Sequence, residues 1–434
     1  VLTVGVTFTI IFLKAGYSVS HFNHMGVFMK ADGIKVYGYR WLVLAVFMVA
    51  VMLNQIAWIT FAPITSAAVA FYGVSELLIG LLSMVFMIVY VLAVLPAAWL
   101  IDTKGFRPAV ALGALLTAVG ALGRGIFAHD FALVFVFQVV IAVGQPFVVG
   151  AITKLAARWF PQDERAIAAG LGTMAVYLGI LCGLFFTPLL LSAMGMKTML
   201  VFWGCAAAAA FTLFVLASRE RPRTAPGPAG SEVRTLVFTG LKKMLTDSGF
   251  ILLLVIFFLG LGMFNGITTW IEQILAPRGF NAEQAGVTGG LILAGGITGA
   301  FVLPLLSDKI RQRKPFIVLS LAGLIPGLVG LILAQSYPVL LVSGFVFGFF
   351  LLSSGPIGFQ YGAEISHPAP EGTSNSFLIL MGQVSGIVFI FLMDALRSPD
   401  GSMPVPLWGI VGLMVVAVVV SLFLRESPIY AKEK

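Results

Sequence analysis

Two short charged loops about two hundred residues apart repeat one another. Asp102 lies in Leu100-Ile101-Asp102-Thr103-Lys104-Gly105-Phe106-Arg107, and Asp308 in Leu306-Ser307-Asp308-Lys309-Ile310-Arg311-Gln312-Arg313-Lys314. Each sits between two long apolar runs, and the offset is 206 (308 − 102). Glu164, after Arg158-Trp159-Phe160-Pro161, pairs in the same way with Glu371, after His367-Pro368, at an offset of 207 (371 − 164). A near-constant offset means that one membrane unit occurs twice in tandem.

Composition sets the solvent of those units. Of 434 residues 59% are hydrophobic and 10% charged, where a soluble domain carries roughly a quarter charged residues. The apolar runs have the ~20-residue length of helices that cross a bilayer, and not the alternating ten-residue pattern of an outer-membrane barrel. The net charge of +8 sits in short loops, as orienting charge does, and is no signal for nucleic acid. Cys182 and Cys205 lie inside apolar stretches, so neither a disulfide nor a thiolate metal site is expected. His21, His24, His129 and His367 fall outside the spans, which leaves no histidine site in the membrane. No Gly-Lys-Ser/Thr ending of a phosphate loop occurs; the chain is read as neither an ATPase nor an enzyme, and as needing no cofactor.

Twelve spans are expected, at about 41–69, 77–100, 108–128, 131–157, 166–190, 197–217, 249–275, 284–306, 315–335, 337–360, 373–396 and 405–424. Residues 1–38 read as an N-terminal extension, too short in its apolar part to span and without the basic leader of a signal peptide; Met25 or Met29 would make a natural start. Residues 39–217 and 249–424 form the two halves, 218–248 a Pro/Gly/Ser-rich linker, and 425–434 a tail. Lys and Arg collect on one side of this layout, at Lys104, Arg107, Lys154, Arg158, Arg165, at Arg219 to Lys243, and at Lys309 to Lys314. The other side holds only Arg124, Lys197, Arg278 and Arg397. The basic side is therefore expected to be cytoplasmic, with both termini on it, in a cytoplasmic membrane.

Polar residues inside spans either staple helices or line a path for solute. Asn54, Gln55, Trp58 and Thr60 cluster in the first span, with Gln138 and Gln145 in the fourth, Tyr177 in the fifth, Asn265 in the seventh and Gln383 in the eleventh. At 1.5 Å per residue, Tyr177, Asn265 and Gln383 fall near mid-depth, where alternating access needs its site. A tryptophan this deep is away from the interfacial belt. Trp58 either packs helices or holds a cation on its π face, worth about 2 kcal/mol when desolvated. Glu272 and Asp394, at the outer ends of spans seven and eleven, are candidate vestibule acids, either solvated or able to carry a proton.

Asp102, Gly105 and Arg107 resemble the signature loop of major facilitator transporters, with Ala98 where that family usually has glycine. The resemblance implies a latch at the ends of neighbouring helices, repeated by Asp308 and Arg311, with Glu164 and Glu371 as further gating acids. The implied fold is all-α, with twelve transmembrane helices in two pseudo-symmetric six-helix bundles. A closer resemblance runs in order from residue 39. Tyr39-Arg40-Trp41, Asn54 to Trp58, Phe71-Tyr72-Gly73-Val74, Leu82 to Met87, Pro96 to Gly105, Gln145, Trp159-Phe160 and Pro370-Glu371-Gly372-Thr373-Ser374 are similar to the feline leukaemia virus subgroup C receptor-related (FLVCR) transporters. Members of that family are implicated in carrying choline and ethanolamine, haem, and in one branch pyridoxine. The resemblance implies that Trp58 faces the choline ammonium and that Gln383 is a pocket glutamine. Tyr177 stands where the family has a glutamine and Asn265 where it has a tyrosine, which takes apart one wall of a cation cage. The short loops are those expected of a bacterial member.

The expected function is therefore alternating-access transport of a small organic solute, an amine or quaternary ammonium foremost. A solute of another class (a vitamin such as pyridoxine, a carboxylate, haem or a drug-like compound) is the alternative, and a channel is less favoured. The candidate substrate residues are Trp58, Asn54, Gln145, Tyr177, Asn265 and Gln383. The expected partners are the solute and the lipid bilayer, with the chain acting as a monomer.

Overall fold

Apolar runs of about twenty residues become helices in lipid because every backbone N–H and C=O must find its partner within the segment. The computed structural model describes residues 27–29, 35–161, 164–224, 246–366 and 371–427. A two-stranded antiparallel hairpin, β1 (Val27–Met29) with β2 (Lys35–Tyr37), comes first, Phe28 opposite Val36. The first half then runs α1 (Tyr39–Ile59), α2 (Thr65–Tyr72), α3 (Glu76–Lys104), α4 (Phe106–Ile126), α5 (Phe131–Val149) and α6 (Ile152–Trp159). The next helical run, Arg165–Ala217, is 53 residues long, about two crossings. It breaks at Gly195, whose φ of 76° and ψ of 168° suit glycine alone, giving α7 (165–194) and α8 (196–217). The second half comprises α9 (Ser248–Thr269), α10 (Ile271–Leu275), α11 (Ala282–Ile310), α12 (Lys314–Leu333), α13 (Tyr337–Ile365), α14 (Glu371–Ala395) and α15 (Pro404–Leu422). Eleven of the helical runs among the described residues have the length and hydropathy to cross a bilayer, and the break at Gly195 makes the crossings twelve.

The first crossing is interrupted because Pro63 has no N–H and its ring excludes the carbonyl four residues back. α1 stops at Ile59, a 3-10 turn covers Ala62–Ile64, and α2 resumes. The crossing nevertheless runs on through the turn, from Tyr39 to Tyr72, covering the 41–69 that the sequence suggested, whereas the break at Trp270 between α9 and α10 ends the seventh crossing at Thr269.

The repeat extends to details of the backbone. Gly73 and Gly279 are both left-handed, at φ 67° and 85°, and are 206 apart. Two residues on, Ser75 and Asn281 cap α3 and α11, accepting from the N–H groups of Leu78 (3.4 Å) and Gln284 (2.8 Å). The acid of each charged loop ends the second crossing of its half: Asp102 in α3 and Asp308 in α11.

Small residues let the helices touch. Gly113 of α4 and Gly144 of α5 lie against each other's carbonyls, and Gly179 of α7 rests on the Met52 carbonyl of α1. The halves meet where α11 lies on α7, Gly286 against the Leu184 carbonyl, and where α3 meets α14, Met87 against Gly386. The two ends of the bundle differ. One carries the loops of Asp102 and Asp308 and is the basic end; the other, with α2 and α10, is the far end.

Candidate functional site: a cavity between the halves

A cavity of about 1640 Å³ lies between the two halves. It reaches the basic end, where Asp102, Lys154, Arg158 and Arg221 line it. Its interior is aromatic and amide-bearing. Gln55, Trp58, Tyr90, Gln145 and Tyr177 come from the first half, and Phe264, Asn265, Phe359 and Gln383 from the second. Trp58 and Phe264 are repeat-related, 206 apart, so the two halves put one aromatic each at the same place.

Beyond Trp58 the far end is closed by contacts between the halves. Trp270 is completely buried, its Nε1 donating to the Ile390 carbonyl at 3.2 Å. Its ring lies on Gly80 of α3, where a Cβ would sit 2.9 Å from Cη2. Glu272 accepts from the Ser66 N–H at 3.0 Å, and Gln273 Nε2 donates to Ser66 Oγ at 3.2 Å. Arg397 pairs with Glu76 across the same seam.

The structure sorts the sequence-predicted residues. Trp58 is 6% exposed and its Nε1 donates to the Ser83 carbonyl at 3.0 Å, which fixes the plane of the ring. Gln145 and Gln383 line the cavity with no hydrogen-bond partner among the described residues. Tyr177 also lines it, while Asn265 lines it and donates to the Gly382 carbonyl at 3.2 Å. Asn54 is a correction: it is fully buried, does not line the cavity, and donates to Thr117 Oγ1 at 2.9 Å, a staple between α1 and α4. Glu272 is 4% exposed, part of the far-end closure and not a solvated vestibule acid; Asp394 is half-buried near the Arg397 end of that seam.

At the basic end the loop residues meet the ends of neighbouring helices within each half. Asp102 is 74% exposed and 3.7 Å from Lys154 of its own half. Asp308 pairs not with Arg311 but with Arg313, at 2.5 Å. Arg311 instead makes the turn, at φ 57°, in the position that Gly105 holds in the first loop at φ 100°. Arg107 donates through its backbone N–H to Glu220 at 2.7 Å and through Nη2 to the Val215 carbonyl at 3.1 Å, both in its own half. Glu164 accepts from Arg40 at 3.2 Å, and the Arg40 guanidinium stands 5.4 Å from the Trp41 ring and 5.8 Å from the Phe160 ring. Burial pushes the Glu164 carboxyl above the ordinary value of 4.5. Burial also opposes the charge of Arg313, but Glu364 and Asp308 outweigh it and hold its pKa up. Glu371 opens α14, its side chain and His367 lying outside the described residues.

Two buried groups escaped the sequence reading. Arg124, counted as an orienting loop charge, is 0% exposed inside α4, and Glu364 is buried beside Arg313. A charge within an apolar span was the available signal for Arg124, whereas Glu364 falls past the span expected at 337–360, in a helix that runs on to Ile365.

The family model of the Major Facilitator Superfamily matches residues 47–390. The chain belongs to the major facilitator superfamily. Among relatives in this superfamily, solute carrier family 49 member A3 of Danio rerio is 32% identical over 384 residues, 85% of this chain and 80% of that protein. The choline/ethanolamine transporter FLVCR1 of Felis catus is 29% identical over 417 residues, 89% of this chain and 74% of that one. The crystal structure of a bacterial homolog to the human lysosomal transporter Spinster, inward-facing and unoccupied, superposes with a TM-score of 0.71 over 89% of this chain and 95% of that chain. At 18% identity that likeness shows the fold alone. This member of the superfamily is a multi-pass membrane transporter, resembling the FLVCR proteins along most of its length.

Proposed function

We propose that the transporter carries a small organic amine, with quaternary ammonium compounds such as choline, and ethanolamine, as the foremost candidates. The observation that carries this reading is the chemistry of the cavity. Its interior offers aromatic faces and uncharged amides, and its charged lining stands at the mouth. A desolvated cation binds a π face without needing a carboxylate, and the buried Trp58 ring is already locked for that role. Gln145 and Gln383 would take a hydroxyl group, since each amide is still free to bond. FLVCR1, named a choline/ethanolamine transporter, supports the solute class.

Transport would follow from residues 39–217 rocking against 249–424, so that the far-end contacts break as the basic end closes. The positive-inside rule puts the basic end, both termini and the cavity mouth in the cytoplasm of a cell membrane. The chain would work as a monomer and without a cofactor.

Uptake of labelled choline and ethanolamine into proteoliposomes tests the reading. Trp58→Ala should raise KM about thirtyfold, the equivalent of ~2 kcal/mol, and Trp58→Phe only severalfold. The basic mouth of Lys154, Arg158 and Arg221 favours a second reading, an anionic solute such as a carboxylate. In that case Trp58→Ala would spare uptake of the carboxylate and Arg221→Ala would not.

A further inference from the structure

Arg124 is a buried cation in the last turn of α4, and among the described residues none of its hydrogen-bond partners is an acid. Its Nη1 donates to the Ala57 carbonyl at 2.9 Å and to Gln138 Oε1 at 2.7 Å, and its Nη2 to Thr60 Oγ1 at 3.1 Å. The guanidinium carbon stands 5.6 Å over the Phe61 ring, and Nε is buried with no partner. A charged group kept inside a membrane span is costly, and packing alone would be served better by an apolar residue.

What the arrangement holds is Trp58. With its Oε1 taken by Arg124, Gln138 is left to donate through Nε2 to the Ala57 carbonyl at 3.3 Å, which Arg124 also holds, and to the Leu82 carbonyl at 3.0 Å. The first belongs to the peptide that joins Ala57 to Trp58. The second belongs to the peptide that leads into Ser83, whose carbonyl receives the indole N–H of Trp58. One amide therefore ties down both the backbone of Trp58 and the neighbour of the acceptor that fixes its ring. The Ala57 carbonyl lies just where α1 ends before Pro63, so the helix there has lost part of its own bonding.

We propose that Arg124 and Gln138 are a positioning pair that sets the Trp58 ring against the bound solute. Neither lines the cavity; they act through Trp58. The effect on transport rests on the reading of Trp58 as a solute-binding residue, whereas the effect on the ring does not.

The test uses the full-length transporter labelled with 5-fluorotryptophan and observed by fluorine NMR. The Trp58 line is assigned by its loss in Trp58→Phe. Gln138→Glu keeps an acceptor for Arg124, adds a counter-charge, and removes both amide donors, so the fold should survive. The expected result is a Trp58 line that shifts or splits while the other six tryptophan lines stay in place. Choline KM should rise about tenfold with maximal rate kept, a loss of ~1.4 kcal/mol. Arg124→Lys, which retains a donor, should give a smaller change of the same kind and serves if Gln138→Glu does not fold. Thr117→Val, which removes the Asn54 staple in the same bundle, should leave the Trp58 line unmoved. A folded Gln138→Glu with an unmoved Trp58 line would overturn the proposal, as would an equal response in Thr117→Val. Wild-type protein that takes up neither choline nor ethanolamine would overturn the amine reading alone, since the Trp58 line still decides the positioning.

Discussion

The two repeats place the same bracket at the basic end and charge it differently. In the first half Glu220, just past α8, accepts from the Arg107 N–H at the start of α4. In the second half Glu426, just past α15, accepts from the Arg313 N–H at the start of α12, also at 2.7 Å. Both pairs of positions are 206 apart (426 − 220 and 313 − 107). The difference lies at Arg158 and Glu364, again 206 apart, where the sign of the charge inverts. Arg158 approaches Glu220 at 3.1 Å, beside the mouth of the cavity, and Glu220 stays 27% exposed. Glu364 instead meets Arg313 at 3.0 Å with both side chains about 95% buried, and Gln360 adds a bond to the same carboxylate. One copy is a bracket that water reaches; the other is sealed. Lys154 and Gln360, also 206 apart, differ in charge as well, and Gln360 bonds the inverted Glu364.

The largest effect should come from opening the sealed copy. Glu364→Ala removes the buried acid that meets the Arg313 guanidinium and should cost about 3–5 kcal/mol, whereas Arg158→Ala, whose partner Glu220 is partly exposed, should cost less. Thermal unfolding of the two variants in the same detergent measures the gap, and equal losses would erase the distinction drawn between the repeats.

The turns come next. Gly105 needs its φ of 100°, and a Cβ there would run into the Glu220 carboxylate. Gly105→Ala should lose about 1–3 kcal/mol and weaken the first bracket. Arg311→Lys, at the equivalent position, keeps both the left-handed turn and the positive charge and should stay within about 1 kcal/mol of unchanged. Melting both variants sharpens the comparison, because the same fold position then tolerates change in one copy only.

A charge neutralisation should show the two acids apart. Asp102→Asn removes a 74%-exposed group facing Lys154 at 3.7 Å, and its effect on melting should be under about 0.5 kcal/mol. Asp308→Asn, with its close bond to Arg313, should do measurably more.

The smallest effect concerns pH. The Glu164 carboxyl is raised by burial, so the folded state holds its proton more tightly than the unfolded chain. That favours the fold below the ordinary carboxylate value and is lost as pH rises through the raised one. Stability of the wild type should therefore slope downward with pH just above 4.5, and Glu164→Gln should flatten that part of the curve. A slope retained in the variant would assign it to another group.

The crossings were legible in the sequence because lipid dictates both length and composition. The paired loops were legible because a repeat shows itself as an offset. Partner choice was not. Arg311 and Arg313 look alike in a basic run, and only the backbone tells which one turns the chain and which one reaches Asp308. Asn54 and Gln145 are likewise equivalent as letters, yet one side chain points between helices and the other into the cavity. Arg124 was hidden by its distance from the middle of a span, where a count of charges assigns it to a loop. Breaks within a crossing, at Pro63 and Trp270, move a segment's last turn out of register with the simple length rule.

Ser66 and Glu272, which meet at the far end, are themselves 206 apart (272 − 66). Each position therefore faces its own counterpart across the pseudo-twofold axis. A pair of identical halves would set like against like there: two carboxylates that repel, or two serines with no charge between them. A charged acceptor in one half facing an uncharged residue in the other is an arrangement that two identical halves cannot make. Joining the copies into one polypeptide thus did more than fix their stoichiometry: it allowed the point on the axis to become a lock with distinct sides.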